Sequence, residues 1–339
     1  MSVLRRFGSI ALVATVLLTA ACSSGDDKKV AADAGGALTT VSYLTGAGVQ
    51  GREAFIYVAI EKGFFKEEGL EVKVQPGNGT EQNLKLLQSG QADYAMVDIT
   101  ASLIAYGEKK FTDFTIVNAV QQLNLSCIMA LSGSGIAGPK DLAGKTIAYI
   151  PGGVVYSLFK AYARLAGVDG TNIKWVVMNA QQMPQNLAAG SIDAATQFAV
   201  GKPAVEAAGK GKTAVVMPFS NYLNDLYGNG LGVTKKKLAE NPKQVKAFNK
   251  AMLRGVEYAM ANPDEAGQIY AKYQKLQPAK VAAAENVLMK SYVEGGANAA
   301  PIGSLNRDRV ARNIAIIQSA GLVQAGLTPD DVITFQIPS

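Results

Sequence analysis

The sequence predicts an α/β fold built as two lobes, each a small open sheet with largely parallel strands, and two observations carry that prediction. Beyond residue 38, apolar runs of strand length alternate with apolar stripes at helical spacing, the pattern of strands linked by crossover helices. The same order is then used again. The stretch NLKLLQSGQADYAMVD (Asn83 to Asp98) lies over MPQNLAAGSIDAATQF (Met183 to Phe198), with Gly90 over Gly190 and Asp93 over Asp193. In both copies the glycine closes a helix, where a residue free to adopt positive φ is needed.

In the first half, Thr40 to Leu44 reads as a strand, Arg52 to Phe65 as a helix, Leu70 to Gln75 as a strand and Glu81 to Gln88 as a helix. Tyr94 to Val97 is the next strand, with Thr100 to Tyr106 as a helix behind it. The second half repeats this with strands at 146–150, 173–178 and 194–198 and helices at 154–166 and 182–188. Gly230 to Thr234 is a short strand. Pro242 to Gln318 is mostly helical, in pieces at 243–261, 264–273, 278–292 and 306–320, with Pro263 and Pro278 at helix starts where proline is tolerated. The division that follows is 39–131 with 225–339 for lobe 1 and 132–224 for lobe 2, with crossings near Leu131–Gly135 and Phe219–Gly228. Lobes of this kind present their loops at the carboxyl ends of the strands, so two facing lobes make a ligand cleft.

Ahead of the lobes, residues 1–21 carry two arginines and an apolar run too short for a permanent span, which reads as a secretory signal. Leu18 to Cys22 resembles a bacterial lipobox, departing from it at Thr19. Cys22 is then the lipidation site, 22–38 a lipidated tether, and the location the extracytoplasmic face of the cell membrane; an ordinary cleaved signal with a chance cysteine is the alternative. The net charge of +6 falls to +4 without Arg5 and Arg6, and Lys235 to Lys237 is its one dense cationic run, so nucleic acid is not an expected partner. Histidine is absent, which removes the commonest general base and zinc ligand and lowers the expectation of hydrolytic or metal chemistry, although enzymes can manage without it; no metal or cofactor is expected. Cys127, within CIMAL, reads as a buried small hydrophobe. GPKDLAGKT (Gly138 to Thr146) is not a phosphate-binding loop: position 139, where the motif requires glycine, is proline, and a strand follows where a helix is needed. It reads as a turn over Pro139 to Leu142 that enters lobe 2.

Three segments carry a resemblance: GREAFIYVAIEKGFFKEEGLEVKV (Gly51 to Val74), LLQSGQADYAMVD, and SGIAGPKDLAGKTIAYIPGG. Together they resemble bacterial substrate-binding proteins of the nitrate, sulfonate, thiamine-pyrimidine and riboflavin type, over about Thr39 to Tyr273. The resemblance implies a two-lobed type II periplasmic-binding-protein fold, monomeric, that captures a small solute and delivers it to an ABC permease with its ATPase subunit. It implies no catalysis and so no catalytic residue. A pyrimidine, thiamine-precursor or flavin-like heterocycle is the expected solute, with nitrate or an alkyl sulfonate as the alternative. The yeast thiamine-pyrimidine synthases are similar in fold but depend on histidine and a cysteine-rich motif, which this sequence lacks.

Twelve residues are candidate solute contacts. Arg52 and Glu53 open the first long helix, and are either ligand contacts or exposed surface charges. Gly79 and Thr80 follow the second strand. Asp98 follows the third, as ligand contact or as cap of the next helix. Gly152, Gly153 and Val154 open a lobe 2 helix whose N–H groups face the cleft. Gln121, Gln197, Phe198 and Tyr227 lie near strand ends or crossings; neutral amides and aromatic faces suit a flat polar ring better than a compact anion.

Overall fold

The computed structural model describes residues 37–223 and 225–337. The expected signal, Cys22 and the tether up to residue 36 lie outside those residues. No helix among the described residues is long and apolar enough to cross a membrane.

The chain opens with β1 (Thr39–Leu44), a 3-10 turn at Gly51–Glu53, α1 (Ala54–Glu61), α2 (Phe64–Glu67), β2 (Leu70–Gln75), α3 (Thr80–Gln88), β3 (Tyr94–Asp98), α4 (Ile99–Gly107) and β4 (Thr115–Ile116). A second set follows: β5 (Ser126–Leu131), β6 (Thr146–Tyr149), α5 (Val154–Ala166), β7 (Lys174–Val177), α6 (Met183–Ala189), β8 (Ala194–Phe198), α7 (Lys202–Gly209) and β9 (Ala214–Pro218). The chain then returns as β10 (Asn229–Val233) and ends in α8 (Lys235–Glu240), α9 (Pro242–Ala261), α10 (Pro263–Tyr273), α11 (Ala279–Glu294), α12 (Arg307–Ser319) and α13 (Pro329–Val332). The helix expected over 52–65 is broken at Gly63, whose φ of +75° suits glycine and ends α1.

The strands form two five-stranded sheets of matching plan, ordered β2-β1-β3-β10-β4 and β7-β6-β8-β5-β9. In each, the first three strands pair in parallel, the fourth (β10 or β5) runs antiparallel to both of its neighbours, and the fifth runs in the direction of the first three, so each sheet is largely parallel with one reversed strand. The antiparallel strand beside the parallel trio is, in both sheets, the first strand laid after the chain crosses over: β5 going out and β10 coming back. This moves the expected boundary. Residues 126–131, assigned to lobe 1 from sequence, pair in the second sheet with β8 and β9. Every residue of β5 is buried, and a strand covered on both faces has no alternation from which its sheet could be read.

The internal repeat has a physical basis in the two aspartates. Asp193 Oδ2 accepts the N–H of Thr146 at the start of β6 (2.8 Å), and Asp93 Oδ2 accepts the N–H of Ser42 in β1 (2.8 Å). Each thus fastens the turn before a central strand to its parallel neighbour. Gly90 and Gly190, with φ of +71° and +72°, close the helices before them. The turn at Pro139–Leu142 has the conformation expected for GPKDLAGKT, with Asp141 Oδ2 accepting the N–H groups of Ala137 and Gly138 at 2.9 and 3.0 Å.

The C-terminal helices thicken the first sheet. Phe248 of α9 stacks on Tyr94 of β3 at 3.9 Å between ring centroids and lies 4.9 Å from Phe65. Such a buried aromatic cluster contributes both area and ring geometry, about 1 kcal/mol per pair beyond burial alone.

Candidate functional site

The loops after β1, β2 and β3 meet the loops after β6, β7 and β8 across the gap between the sheets and enclose a cavity of about 50 Å³. The first sheet supplies Gly46, Ala47, Arg52, Gly79, Thr80, Met96, Asp98 and Asn229, and the second Ile150, Gly153 to Tyr156, Ala180, Thr196, Gln197 and Phe198. Tyr156 also walls a larger groove of about 630 Å³ that contains Trp175, the single tryptophan of the sequence.

Arg52 is 3% exposed. It is not a surface charge. Its guanidinium donates to Gln50 Oε1 (3.0 Å) and the Ala47 carbonyl (3.3 Å) and lies 5.3 Å from the Phe198 ring centroid, so it bridges the two sheets. Holding it by neutral acceptors leaves N–H donors of the fork for the cavity.

Glu53 is buried as well but points away from the cavity. Its Oε1 accepts the Gly46 N–H (2.7 Å) and its Oε2 the Tyr43 hydroxyl (3.4 Å), which pins the loop after β1. Burial pushes its carboxyl up to about 7, against the opposing pull of Arg52. Glu285 of α11 accepts the Arg52 N–H at 2.7 Å and the Gln277 amide at 2.8 Å, and burial raises its carboxyl too. Nothing local in the sequence marked Glu285 as part of this environment.

Asp98 caps the helix that follows it and also stands in the cavity wall. Its Oδ1 accepts the Ala101 N–H (2.9 Å) as the cap of α4, and the residue lines the cavity. Thr80 Oγ1 accepts the Asp98 N–H at 2.9 Å, which ties two cavity loops together. Burial pushes the Asp98 carboxyl up to about 8, more than its backbone hydrogen bonds bring it down.

Eight of the twelve sequence candidates therefore share one cavity: Arg52, Gly79, Thr80, Asp98, Gly153, Val154, Gln197 and Phe198. Four do not line it. Glu53 lies behind the wall. Gln121 spends its carbonyl oxygen on the Asn229 N–H (2.9 Å) and its amide on Met289 Sδ (3.7 Å). Tyr227 accepts the Asn306 N–H on its hydroxyl (3.1 Å), with Arg309 3.9 Å from its ring centroid. Gly152 faces Glu81 of the opposite sheet, where a methyl group at position 152 would come within 2.2 Å of the carboxylate. That position brings the two halves together rather than offering an N–H to the cavity. Asn229, Thr196 and Tyr156 line the cavity without having been singled out, since none belongs to a motif.

A family model described as NMT1/THI5 like matches residues 50–266. The chain is similar to the riboflavin-binding protein RibY of Chloroflexus aurantiacus, with 29% identity over 216 residues, 62% of this chain; the match spans 59% of that relative, less than two thirds of its length. It is similar to the formylaminopyrimidine-binding protein of Halalkalibacterium halodurans, with 26% identity over 268 residues, 78% of each chain. A third relative is the 4-amino-5-hydroxymethyl-2-methylpyrimidine phosphate synthase of Candida albicans, 26% identical over 242 residues, 66% of this chain and 67% of that one. Among solved structures, the alkanesulfonate-binding protein SsuA from Xanthomonas axonopodis pv. citri bound to MOPS matches with a TM-score of 0.69 at 15% identity, covering 87% of this chain and 98% of that one. Its likeness is one of fold, and the fold is the two-lobed type II periplasmic-binding-protein arrangement.

Proposed function

The chain belongs to the NMT1/THI5-like family, and on that premise we propose that it is the extracytoplasmic solute-binding component of an ABC importer, capturing a small flat polar heterocycle of pyrimidine, thiamine-precursor or flavin type for delivery to a permease. The observation that carries this reading is the charge balance of the interlobe cavity. One buried guanidinium, Arg52, stands among three buried carboxyls, Asp98 in the wall and Glu53 and Glu285 behind it. Burial already raises all three carboxyls, Glu53 to about 7 and Asp98 to about 8, so an added anion would compete with them for the one cation and hold them protonated, whereas a neutral ring adds no charge to be compensated. The amides of Gln197 and Asn229 each offer a donor and an acceptor, which suits a ring with mixed hydrogen-bonding edges.

Nitrate or an alkyl sulfonate is the second reading, favoured by the open N–H donors of Arg52. Micromolar affinity corresponds to about 8 kcal/mol, within reach of a few buried hydrogen bonds and one ring contact. We propose no catalysis, despite the synthase among the relatives: the sequence has no histidine, and the Cys127 thiol is fully buried with its pKa raised by that burial. The reading extends to the N-terminus as a signal peptide, a lipid anchor on Cys22 and attachment of the monomer to the cell membrane.

A thermal-shift panel of pyrimidines, riboflavin, nitrate and alkyl sulfonates tests the solute class. A heterocycle at one hundred times its Kd should stabilise the protein by about 2.7 kcal/mol, a rise of several degrees in Tm. Stabilisation by nitrate or a sulfonate alone establishes the second reading, and no shift with any compound counts against both.

A further inference from the structure

The chain passes between the two sheets twice, outward at Leu123–Leu125 and back through Asp225–Gly228, and the two passages are hydrogen-bonded side by side. The Asn124 N–H donates to the Leu226 carbonyl (3.0 Å), and Gly228 N–H to the Gln121 carbonyl (3.2 Å). On the outer side, Arg309 of α12 braces both passages, donating to Gln122 Oε1 (3.3 Å) and to the Asp225 carbonyl (3.2 Å).

The inner side is held by Asn124, which is 3% exposed. Its Nδ2 donates to Asp98 Oδ2 (3.3 Å) and to the Tyr227 carbonyl on the return passage (3.1 Å). Its Oδ1 accepts the N–H of Ser126, the first residue of β5 (2.8 Å). One amide thus joins the carboxyl that lines the cavity, the return passage and the first strand of the second sheet. Two donors and an acceptor on one short side chain are what an asparagine offers; an aspartate has no donor and a serine has a single hydroxyl.

From this geometry we infer that Asn124 is a positioning residue that couples Asp98 to the interlobe passages, so that hydrogen bonding at Asp98 alters how the two lobes are set against each other. Resting on the solute-binding reading, the inference assigns the coupling of that site to a residue that does not line the cavity. A solute that draws on Asp98 changes the partner of the Asn124 amide, and the change reaches both passages through bonds already in place.

The test needs no solute. Bio-orthogonal spin labels at Glu71 and Lys174, exposed positions on β2 and β7, report the interlobe distance distribution of the full chain by pulsed electron paramagnetic resonance. Asn124→Ala should shift the mean by more than about 2 Å or broaden the distribution to that extent. Asn124→Leu, which keeps volume but not the bonds, should do the same and guards against a cavity effect. In an Asp98→Ala background the Asn124→Ala shift should shrink, because half of the coupled pair is already gone. Distributions that overlay the wild type while Tm falls, or shifts at the two positions that simply add, overturn the inference. Failure of the thermal-shift panel with the coupling present would remove the solute assignment and leave the inference standing.

Discussion

Replacing Arg52 with alanine is expected to weaken binding of a heterocycle about 10- to 100-fold, the value of one or two hydrogen bonds from a charged group. An anionic solute would lose more, over about 1000-fold, because its compensating charge would be gone. Titration calorimetry on the wild type and the variant separates the two solute classes by the size of this loss. The same change leaves the Ala47 carbonyl and Gln50 Oε1 without their donor, removes the contact with Phe198 and deprives Glu53 of its nearest cation. Unfolding stability should therefore fall by about 2–4 kcal/mol, read as a lower urea midpoint. Arg52→Lys keeps the charge and loses the planar fork, and should recover stability better than affinity.

Stability is expected to decline as pH rises from about 5 to 8.5. Burial raises the carboxyls of Glu53 to about 7 and of Asp98 to about 8. Between the ordinary carboxylate range and those values, the folded state keeps protons that the unfolded chain has released. The unfolded state then binds fewer protons, so the free energy of unfolding falls with pH by up to about 1.4 kcal/mol per unit for each group. The advantage is fully present below pH 4 and lost by about pH 8. Asp93 works in the opposite sense but outside this window: its burial is outweighed by Lys237 and Ser42, which hold its carboxyl below the usual range. Urea midpoints across pH 5 to 8.5 should fall in the wild type and fall less steeply in Asp98→Asn, whose side chain no longer titrates. A midpoint that rises with pH, or an unchanged slope in the variant, would show that Asp98 is ionised in the folded protein at lower pH.

The sequence made the plan of the sheets legible where a residue pattern answers directly to backbone geometry. Gly90 and Gly190 end helices with positive φ, and Asp93 and Asp193 bind the N–H of a neighbouring strand, so the repeated spacing reflects one folding unit used twice. Arg52, Thr80, Asp98 and Gly153 could be placed at the cavity because loops at strand carboxyl ends converge in such folds. Long-range pairing was not legible. Glu285 stands 233 residues from Arg52 and carries no motif, and β5 is apolar at nearly every position, so neither its sheet nor the true crossing could be read from alternation. Gln121 and Tyr227 were drawn to the site by their nearness to the crossings, and it is the crossings that they serve: Gln121 bonds to β10, and the Tyr227 carbonyl receives the Asn124 amide.

The most direct test of a heterocycle-binding role is to purify the full chain without added ligand, denature it, and identify by mass spectrometry the small molecules released. A pyrimidine, thiamine-precursor or flavin-like compound that is released, and that rebinds the refolded protein unchanged, is the expected result. Release of nitrate or an alkyl sulfonate, or conversion of the released compound to a product by the pure protein, would contradict it.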